Sequence, residues 1–267
     1  MTKPLEAPST EPSVLREDTD GVATLSLNRP RQLNSLSVEM LEALQDELDA
    51  IARDEGVRVV ILAGEGRAFS AGHDLRQMRD NAAEGDHLRL FEQCSRMMLS
   101  LIRLPQPVIA RVQGIATAAG CQLVATCDLA VAAEEARFAT SGIGVGLFCS
   151  TPAVALSRNV PRKRAFEMLF TGEFIDAATA LDLGLVNQVV PAAELEAATR
   201  ALAQKIVAKS PYAVRSGKEE FYRQLGLPVE EAYAYAAHVM ARDMTSGDAC
   251  EGIDAFLAKR TPTWRGR

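Results

Sequence analysis

The sequence predicts an α/β protein whose first two thirds alternate strands with helices and whose last third is almost wholly helical. The segments between the strands carry apolar residues at helical spacing, and a helical pattern continues from Ala192 to the end. Four short apolar runs have the length and composition of buried strands: residues 21–27, 57–63, 107–112 and 129–133.

The length sets the domain organisation. A chain of 267 residues suffices for one large domain, or for one domain with a small appendage. We divide it into a flexible lead over residues 1–20, an α/β core over 21–190 and a helical region over 191–267.

The first elements follow from local signals. A strand over 21–27 stops at Asn28-Arg29-Pro30, and Ser37 is a suitable N-cap for the next helix. The strand over 57–63 runs into a glycine-punctuated loop, the segment 76–86 is polar, and a helix is predicted from about 87 to 102. The first helix has its apolar residues on one face: Met40, Leu41, Leu44, Leu48 and Ile51.

The stretch over residues 107–128 organises the chain. It begins as an apolar strand, breaks at Gly114 and continues as uncharged small residues until Asp128. A helix starting near Ala119 or Gly120 would aim free N–H groups at whatever lies before it, an arrangement that suits a negatively charged oxygen. The alternative interpretation is a tightly packed core helix.

The remaining elements complete the pattern. A strand over 129–133 precedes an irregular, glycine-containing segment at 137–151, and a last strand is predicted at 185–190. Ser210-Pro211 and Pro228 each restart a helix in the last third. Three short helices lie before the last strand: residues 152–158, 162–170 and 177–183.

Composition excludes several classes of function. The net charge of −6 argues against a general nucleic-acid binder, and no apolar run approaches a membrane span. Five cysteines without a CxxC pair and three histidines without ligand spacing predict neither disulfides nor a metal site. Residues 1–20 lack the features of a signal peptide or a mitochondrial presequence, so we expect a cytoplasmic protein.

A nicotinamide cofactor is not predicted either. The segment Gly142-Ile143-Gly144-Val145-Gly146 lacks the third glycine of a dinucleotide loop at the required spacing, and no strand leads cleanly into it.

Taken together, six segments resemble the crotonase, or enoyl-CoA hydratase/isomerase, family. The resemblance implies a spiral of ββα units, a helical C-terminal region that forms trimers or hexamers, and an acyl-CoA thioester of fatty-acid metabolism as ligand. Coenzyme A would enter as part of the substrate, without a permanently bound cofactor. The segments are residues 27–36, 67–75, 113–128, 169–172, 180–186 and 252–260.

The resemblance also implies a site. The thioester oxygen would be held by the backbone N–H groups of His73 and Ala119, which stabilise enolate charge. Among the implied contacts, Leu33 and Leu75 are alternatively core residues, and Arg31 and Lys259 solvated charges. The implied coenzyme A contacts are Arg31, Gln32, Leu33, Ala71, Asp74, Leu75, Phe256 and Lys259.

The sequence departs from the family where hydratases carry two glutamates. Gln122 and Gly142 stand at those positions, and neither can exchange a proton at neutral pH. His73 is the titratable ring nearest the implied thioester, and Cys149 or Ser150 would be nucleophilic only beside a base. Thioester hydrolysis, decarboxylation, isomerisation and non-catalytic acyl-CoA binding therefore stay open beside enoyl-CoA hydration.

Overall fold

Two β-sheets organise the part of the chain that the structure describes. The structure is a computed structural model that describes residues 11–81 and 83–267. Its strands are β1 (Val14–Thr19), β2 (Val22–Leu27), β3 (Val59–Gly64), β4 (Ala68–Ser70), β5 (Val108–Val112), β6 (Ile115–Thr117), β7 (Leu129–Ala133), β8 (Arg137–Ala139), β9 (Ile175–Asp176) and β10 (Gln188–Val190).

From β3 to β8, successive strands alternate between the two sheets. One sheet has the order β1-β2-β3-β5-β7-β10 and the other the order β4-β6-β8-β9. Pairing within them is parallel except at β1–β2 and β8–β9. The pairs β3/β4, β5/β6 and β7/β8 each place one strand in each sheet, so the chain advances as a spiral of ββα units, as the resemblance implies.

Eleven α-helices surround the sheets in the described residues. The predicted N-cap of the first helix is confirmed, because Ser37 Oγ accepts from the Met40 N–H at 3.2 Å, and all five residues of its predicted apolar face are buried. The helices are α1 (Val38–Ile51), α2 (Leu75–Asp80), α3 (Glu84–Arg103), α4 (Ala119–Thr126), α5 (Ser150–Asn159), α6 (Arg162–Thr171), α7 (Ala177–Asp182), α8 (Leu195–Val207), α9 (Pro211–Gln224), α10 (Val229–Asp243) and α11 (Gly247–Leu257).

Helix α8 belongs to the packing of the core although it lies beyond residue 190. Its buried residues Leu195 and Ala203 join a cluster with Val59, Ile109 and Val131 from the six-stranded sheet. The helix therefore covers one face of that sheet, while the main core lies on the other face. A domain boundary near residue 190 stays a prediction.

Two segments differ from the sequence prediction. Residues 14–19 form β1 although the lead over 1–20 was expected to be flexible; the polar strand is held by backbone pairing with β2, from Val14↔Leu27 to Thr19↔Val22. Residues 1–10 lie outside the described residues. The polar segment 76–86 contains most of α2 and the start of α3, because Asp74 caps α2 through the N–H groups of Arg76 and Gln77.

A buried ion pair fastens α9 to the spiral. Lys218 Nζ lies 2.7 Å from Asp128 Oδ2 and also donates to the carbonyl oxygens of Leu101 and Gln106. The other carboxylate oxygen accepts from the Tyr222 hydroxyl at 2.7 Å. Because Asp128 is the last residue of the small-residue stretch that contains α4, this ion pair links the helical region to the site described next.

None of the described helices is both long and apolar enough to cross a lipid bilayer.

Candidate active site

A cavity of about 310 Å³ opens beside the N-terminus of α4. Its walls come from the segment after β4, from α2, from Phe91 of α3, from the start of α4, and from the segment that joins β8 to α5. The lining residues are Ala71, His73, Leu75, Met78, Phe91, Ala118, Ala119, Ser141, Gly142, Val145, Leu147, Phe148, Cys149, Ser150, Thr151 and Pro152. Among the described residues, no carboxylate lines this cavity.

Two unpaired backbone donors lie at the cavity. Helix α4 begins at Ala119, after Ala118 donates its own N–H to the carbonyl of Ala139 at 3.0 Å. Within residues 11–81 and 83–267, neither the Ala119 N–H nor the His73 N–H donates to another protein group. Both remain available to a ligand.

Gly72 brings these donors together. A Cβ at Gly72 would lie 3.0 Å from the Ala119 nitrogen and 2.9 Å from the Ala118 methyl carbon, and the φ of Gly72 is +84°. Only glycine tolerates both the close approach and the left-handed backbone. Because Gly72 directly precedes His73, this contact sets the His73 N–H next to the start of α4.

Ala118 has an unusual backbone. Its φ of +51° and ψ of −121° lie in a region that residues with a Cβ rarely adopt. Strain of this kind persists only where the surrounding structure enforces it and is concentrated at functional sites. Here it turns the chain from β6 into α4, so that the Ala119 N–H is left at the cavity.

The His73 imidazole has one partner. Its Nδ1 lies 3.2 Å from the carbonyl oxygen of Leu36, while Nε2 is buried without a hydrogen-bond partner among the described residues. The ring of Phe91 meets it edge-on at 5.5 Å between centroids. Burial lowers the pKa of His73 below its ordinary value, against the smaller opposing effect of Leu36, so the ring is neutral at pH 7.

The two positions without glutamate are arranged differently. Gln122 is buried in α4, and its Oε1 has no partner within the described chain; it does not line the cavity. Gly142 does line it, but a Cβ there would lie 2.7 Å from both Cys149 Sγ and the Leu147 carbonyl oxygen. The segment after Gly142 thus fills the space that a longer side chain would need.

Among the described residues, no activating base lies at hydrogen-bond distance from the candidate nucleophiles Cys149 and Ser150. Burial raises the pKa of the Cys149 thiol, which is therefore protonated at neutral pH. Ser150 Oγ lies 3.5 Å from the carbonyl oxygen of Phe148, its one hydrogen-bond contact in the described structure. The local geometry favours neither as a nucleophile.

Comparison with known proteins identifies the family. A sequence model described as enoyl-CoA hydratase/isomerase matches residues 17–267. The chain belongs to the enoyl-CoA hydratase/isomerase family.

Similarity to individual family members extends over most of each chain. The chain is 47% identical over 245 residues to enoyl-CoA hydratase domain-containing protein 3, mitochondrial, of Mus musculus, covering 92% of this chain and 82% of that protein. The crystal structure of an enoyl-CoA hydratase of Mycobacterium smegmatis superposes with a TM-score of 0.94 at 56% identity, covering 95% and 99% of the two chains. For human enoyl-CoA hydratase domain-containing protein 3, the TM-score is 0.92 at 46% identity, with 94% and 100% covered.

The relatives correct one expectation. The predicted cytoplasmic location is wrong by this comparison, because the mouse and human relatives are named mitochondrial. All five cysteines are free in the structure, but unpaired cysteines indicate only reducing surroundings and do not single out the cytoplasm.

The structure brings some of the implied coenzyme A contacts of this family together. The Ala71 N–H donates to the Leu33 carbonyl at 3.0 Å, so the loop at 31–33 lies beside the segment 71–75. Arg31 and Gln32 are exposed on that loop, as is Leu75 at the cavity. The carboxylate of Asp74 serves as the N-cap of α2.

The implied contacts from the tail lie elsewhere. Phe256 and Lys259 are exposed near the end of α11, whereas the cavity of the same chain is lined only by residues between 71 and 152.

Sequence reasoning missed several wall residues of this family's cavity. Met78 lies in a segment expected to be polar loop, and Ser141 lies in one expected to be irregular; Ser141 Oγ is 2.8 Å from Thr117 Oγ1. Phe91 lies in the helix predicted from about 87 to 102, but nothing local indicated that it faces a ligand cavity. The other missed wall residues are Val145, Leu147, Phe148, Thr151 and Pro152.

Proposed function

We propose that the protein is an acyl-CoA enzyme of fatty-acid metabolism that holds the thioester oxygen with the N–H groups of His73 and Ala119. The observation that carries this proposal is the pair of unpaired donors, set side by side by Gly72 at one cavity. Preorganised donors aimed at a developing oxyanion stabilise an enolate in a site with little water.

The cavity supports an acyl ligand. Leu75, Met78, Phe91, Leu147 and Phe148 give it apolar walls, which suit a hydrocarbon chain. The adjoining loop with Arg31, Gln32 and Leu33 would take the phosphate and pantetheine arm, and Ala71, Asp74 and Leu75 would surround the adenine. Coenzyme A enters with the substrate, and no resident cofactor is part of this proposal.

An oligomer would complete the binding site. Helices α10 and α11 expose large apolar side chains, including Tyr233 at 77%, Met240 at 70% and Phe256 at 82%. Such a surface is typical of an interface between copies. We propose a trimer or a dimer of trimers in which Phe256 and Lys259 contact the coenzyme A bound to a neighbour; a stable monomer in sedimentation at micromolar concentration would contradict this.

Hydration of enoyl-CoA is expected to be slow. Addition of water needs a base for the water and an acid for Cα, yet Gln122 is non-ionisable and Gly142 has no side chain. Each missing acid or base is typically worth about 10²–10⁴ in rate. Crotonyl-CoA hydration measured by absorbance should therefore lie several orders of magnitude below that of a two-glutamate family member; ordinary enzyme turnover would refute this expectation.

Binding and enolate formation test the proposal together. Calorimetry with acetyl-CoA and crotonyl-CoA should show micromolar binding that weakens in Lys259→Ala. Deuterium uptake at Cα of butyryl-CoA in D₂O should fall by about 10²–10³ in Ala119→Pro, which removes one donor. Proline is generally tolerated at the first helical position, and Glu84→Pro places it at that position of α3 as a control. Because the Ala119 nitrogen also lies close to Gly72, circular dichroism must show that Ala119→Pro keeps its fold.

The outcomes separate the candidate functions. Absence of binding to every coenzyme A thioester tested would overturn the proposal, as would unchanged exchange in an Ala119→Pro protein whose circular dichroism matches the wild type. Binding without exchange or turnover would favour the non-catalytic acyl-CoA binder, which the lack of a lining carboxylate makes the second candidate.

A further inference from the structure

A second cavity lies between the end of α3 and helix α9, and three arginines line it. Its volume is about 520 Å³, and Arg103, Arg215 and Arg223 all belong to its walls. It shares no lining residue with the candidate active site. The chain as a whole carries a net charge of −6. A cluster of positive charges on one concave surface of an acidic protein favours the binding of an anion there.

The excess charge in this cavity corresponds to two elementary charges. Besides the three arginines, the described wall residues include one acid, Glu219, and one lysine, Lys218. Lys218 is buried, and its Nζ lies 2.7 Å from Asp128 Oδ2, so those two charges balance each other. Three guanidinium groups against one carboxylate leave a surplus of two positive charges.

Two of the arginines do not pair with the acid that their spacing offers. Arg215 and Arg223 lie four positions before and after Glu219 on α9, a spacing at which opposite charges normally meet on a helix. Neither guanidinium group forms an ion pair or a hydrogen bond with a described residue. On α6, by contrast, Arg164 pairs with Glu167 at 2.8 Å. The guanidinium groups at this cavity are therefore directed elsewhere than to the neighbouring carboxylate.

Tyrosine rings hold these two guanidinium groups instead. Arg223 Cζ lies 4.6 Å from the ring centroid of Tyr235 on α10, and Arg215 Cζ lies 5.9 Å from that of Tyr212. A cation over a ring face is attracted to it, and a stacked guanidinium keeps its N–H groups for oxygen acceptors. Arg103, at the end of α3, also has no ion-pair or hydrogen-bond partner among the described residues. Donors on all three arginines are therefore available to a ligand.

Apolar residues form another part of the wall. Ile102 and Pro105 are half-buried and Leu104 is buried, all beside Arg103. An apolar wall next to a few polar groups is typical of a site for an organic ligand rather than for a bare inorganic ion. A phosphate monoester carries a charge of about −1.5 to −2 at pH 7, which matches the surplus of two positive charges better than the single charge of a carboxylate does.

We propose that this cavity binds a small organic molecule that carries a phosphate monoester. The phosphate lies among the guanidinium groups of Arg103, Arg215 and Arg223, and the carbon skeleton lies against Ile102 and Pro105. Arginine suits this role because its planar fork of N–H groups donates two parallel hydrogen bonds to phosphate oxygens.

The phosphate site lies away from the candidate active site. Its wall residue Lys218 is bonded to Asp128, which follows the C-terminal end of α4. The candidate active site is at the other end of α4, where the helix begins at Ala119. The eight residues of this helix span about 12 Å. The inference therefore does not rest on the proposed function, and the two sites can be tested separately.

Phenyl phosphate is the probe, because it joins a phosphate monoester to an apolar ring. Calorimetry, with the candidate active site filled by acetyl-CoA at micromolar concentration, should show saturable binding with a Kd of about 1 mM or lower. Arg215→Gln and Arg223→Gln should each weaken it by about tenfold or more, because each removes a charged hydrogen-bond donor. Arg53→Gln changes an exposed arginine outside this cavity and should leave binding unchanged. Benzenesulfonate has the same ring but one charge, and should bind about tenfold more weakly.

The outcomes separate this inference from its alternatives. Absence of saturable phenyl phosphate binding, or equal binding in the wild type and both cavity variants, would overturn it. Benzenesulfonate that binds as tightly as phenyl phosphate would refute the assignment to a phosphate monoester. Variants that change sedimentation but not phenyl phosphate binding would place the arginines at an interface between copies and contradict the inference. Failure of acetyl-CoA to bind would count against the proposed function only.

Discussion

Gly142 offers a direct test of why the second glutamate position is empty. Its backbone is not left-handed, so conformation alone does not require glycine. The constraint is space, because a Cβ would lie 2.7 Å from Cys149 Sγ and 2.7 Å from the Leu147 carbonyl oxygen. Both distances are well inside van der Waals contact, and overpacking of this kind costs about 1–3 kcal/mol.

We therefore expect Gly142→Ala to lower the melting temperature by roughly 2–12 °C, using about 2–4 °C per kcal/mol for a chain of this size. Gly144→Ala is the matched control in the same short 3-10 helix, Ser141–Val145. Nothing lies within 4 Å of a Cβ there, so the expected change is within about 0.5 kcal/mol. Thermal unfolding followed by circular dichroism at fixed protein concentration measures both.

Cys149→Ala tests the cause. It removes the sulfur but leaves the Leu147 carbonyl in place, so Gly142→Ala and Cys149→Ala together should destabilise by less than their sum, with a coupling of at least about 0.5 kcal/mol. Additive losses, or a Gly142→Ala protein as stable as Gly144→Ala, would refute the steric argument. If it holds, Gly142→Glu cannot restore hydration without rebuilding the segment to Cys149.

Three more predictions concern the ion pair of Lys218 with Asp128, the strained backbone of Ala118 and the pH dependence of stability. Lys218→Met should cost about 3–5 kcal/mol in denaturant unfolding, because it leaves the partly buried Asp128 without its cation; a loss under 1 kcal/mol would contradict this. Ala118→Gly should stabilise the folded state by relieving about 1–3 kcal/mol of backbone strain, and destabilise it by about 0.4–1 kcal/mol through added freedom of the unfolded chain. The melting temperature should therefore stay level or rise. A clear fall would count against the strain. Although burial opposes ionisation of Asp248, hydrogen bonds, chiefly from Ser210, hold its pKa below the usual range. The ionised carboxylate therefore stabilises the fold above the unfolded pKa of about 4, and this stabilisation is lost as pH falls through the folded pKa. Asp248→Asn should flatten the decline in melting temperature below pH 4, and parallel curves for variant and wild type would speak against this linkage.

The sequence correctly predicted the elements whose buried face can be identified from the residues of that element alone. Helix α1 shows one apolar stripe and a serine cap, and both were found as predicted. Helix α3 was harder, because its apolar residues allow more than one stripe. Leu88, an apolar residue of the helix predicted over about 87–102, is 57% exposed, while Leu90, Cys94 and Met97 are buried. Which stripe is buried depends on where α1 packs, and no pattern within α3 shows that.

At the site too, features set by neighbouring residues were predicted, and features set by contacts between distant segments were not. The small residues before Asp128 indicated a helix start with free donors, and α4 begins at Ala119 as expected. The orientation of the His73 ring depends on a carbonyl at Leu36, 37 positions away, and the space around Gly142 depends on the path of the chain to Cys149. Contacts between segments decide both, so the residue types alone did not reveal them.

The junction at Ala119 has a practical consequence for observing ligands. All eight residues of α4 are buried, so its amides from Gln122 onward, bonded within the helix, exchange hydrogen with solvent only through large openings of the fold. The Ala119 amide differs, because it has no acceptor in the described chain and borders the cavity. Its hydrogen exchange should slow when an acyl-CoA occupies the cavity while the amides deeper in the helix stay unchanged. The Ala119 backbone amide thus reports occupancy of the site with no probe attached to the protein or to the ligand.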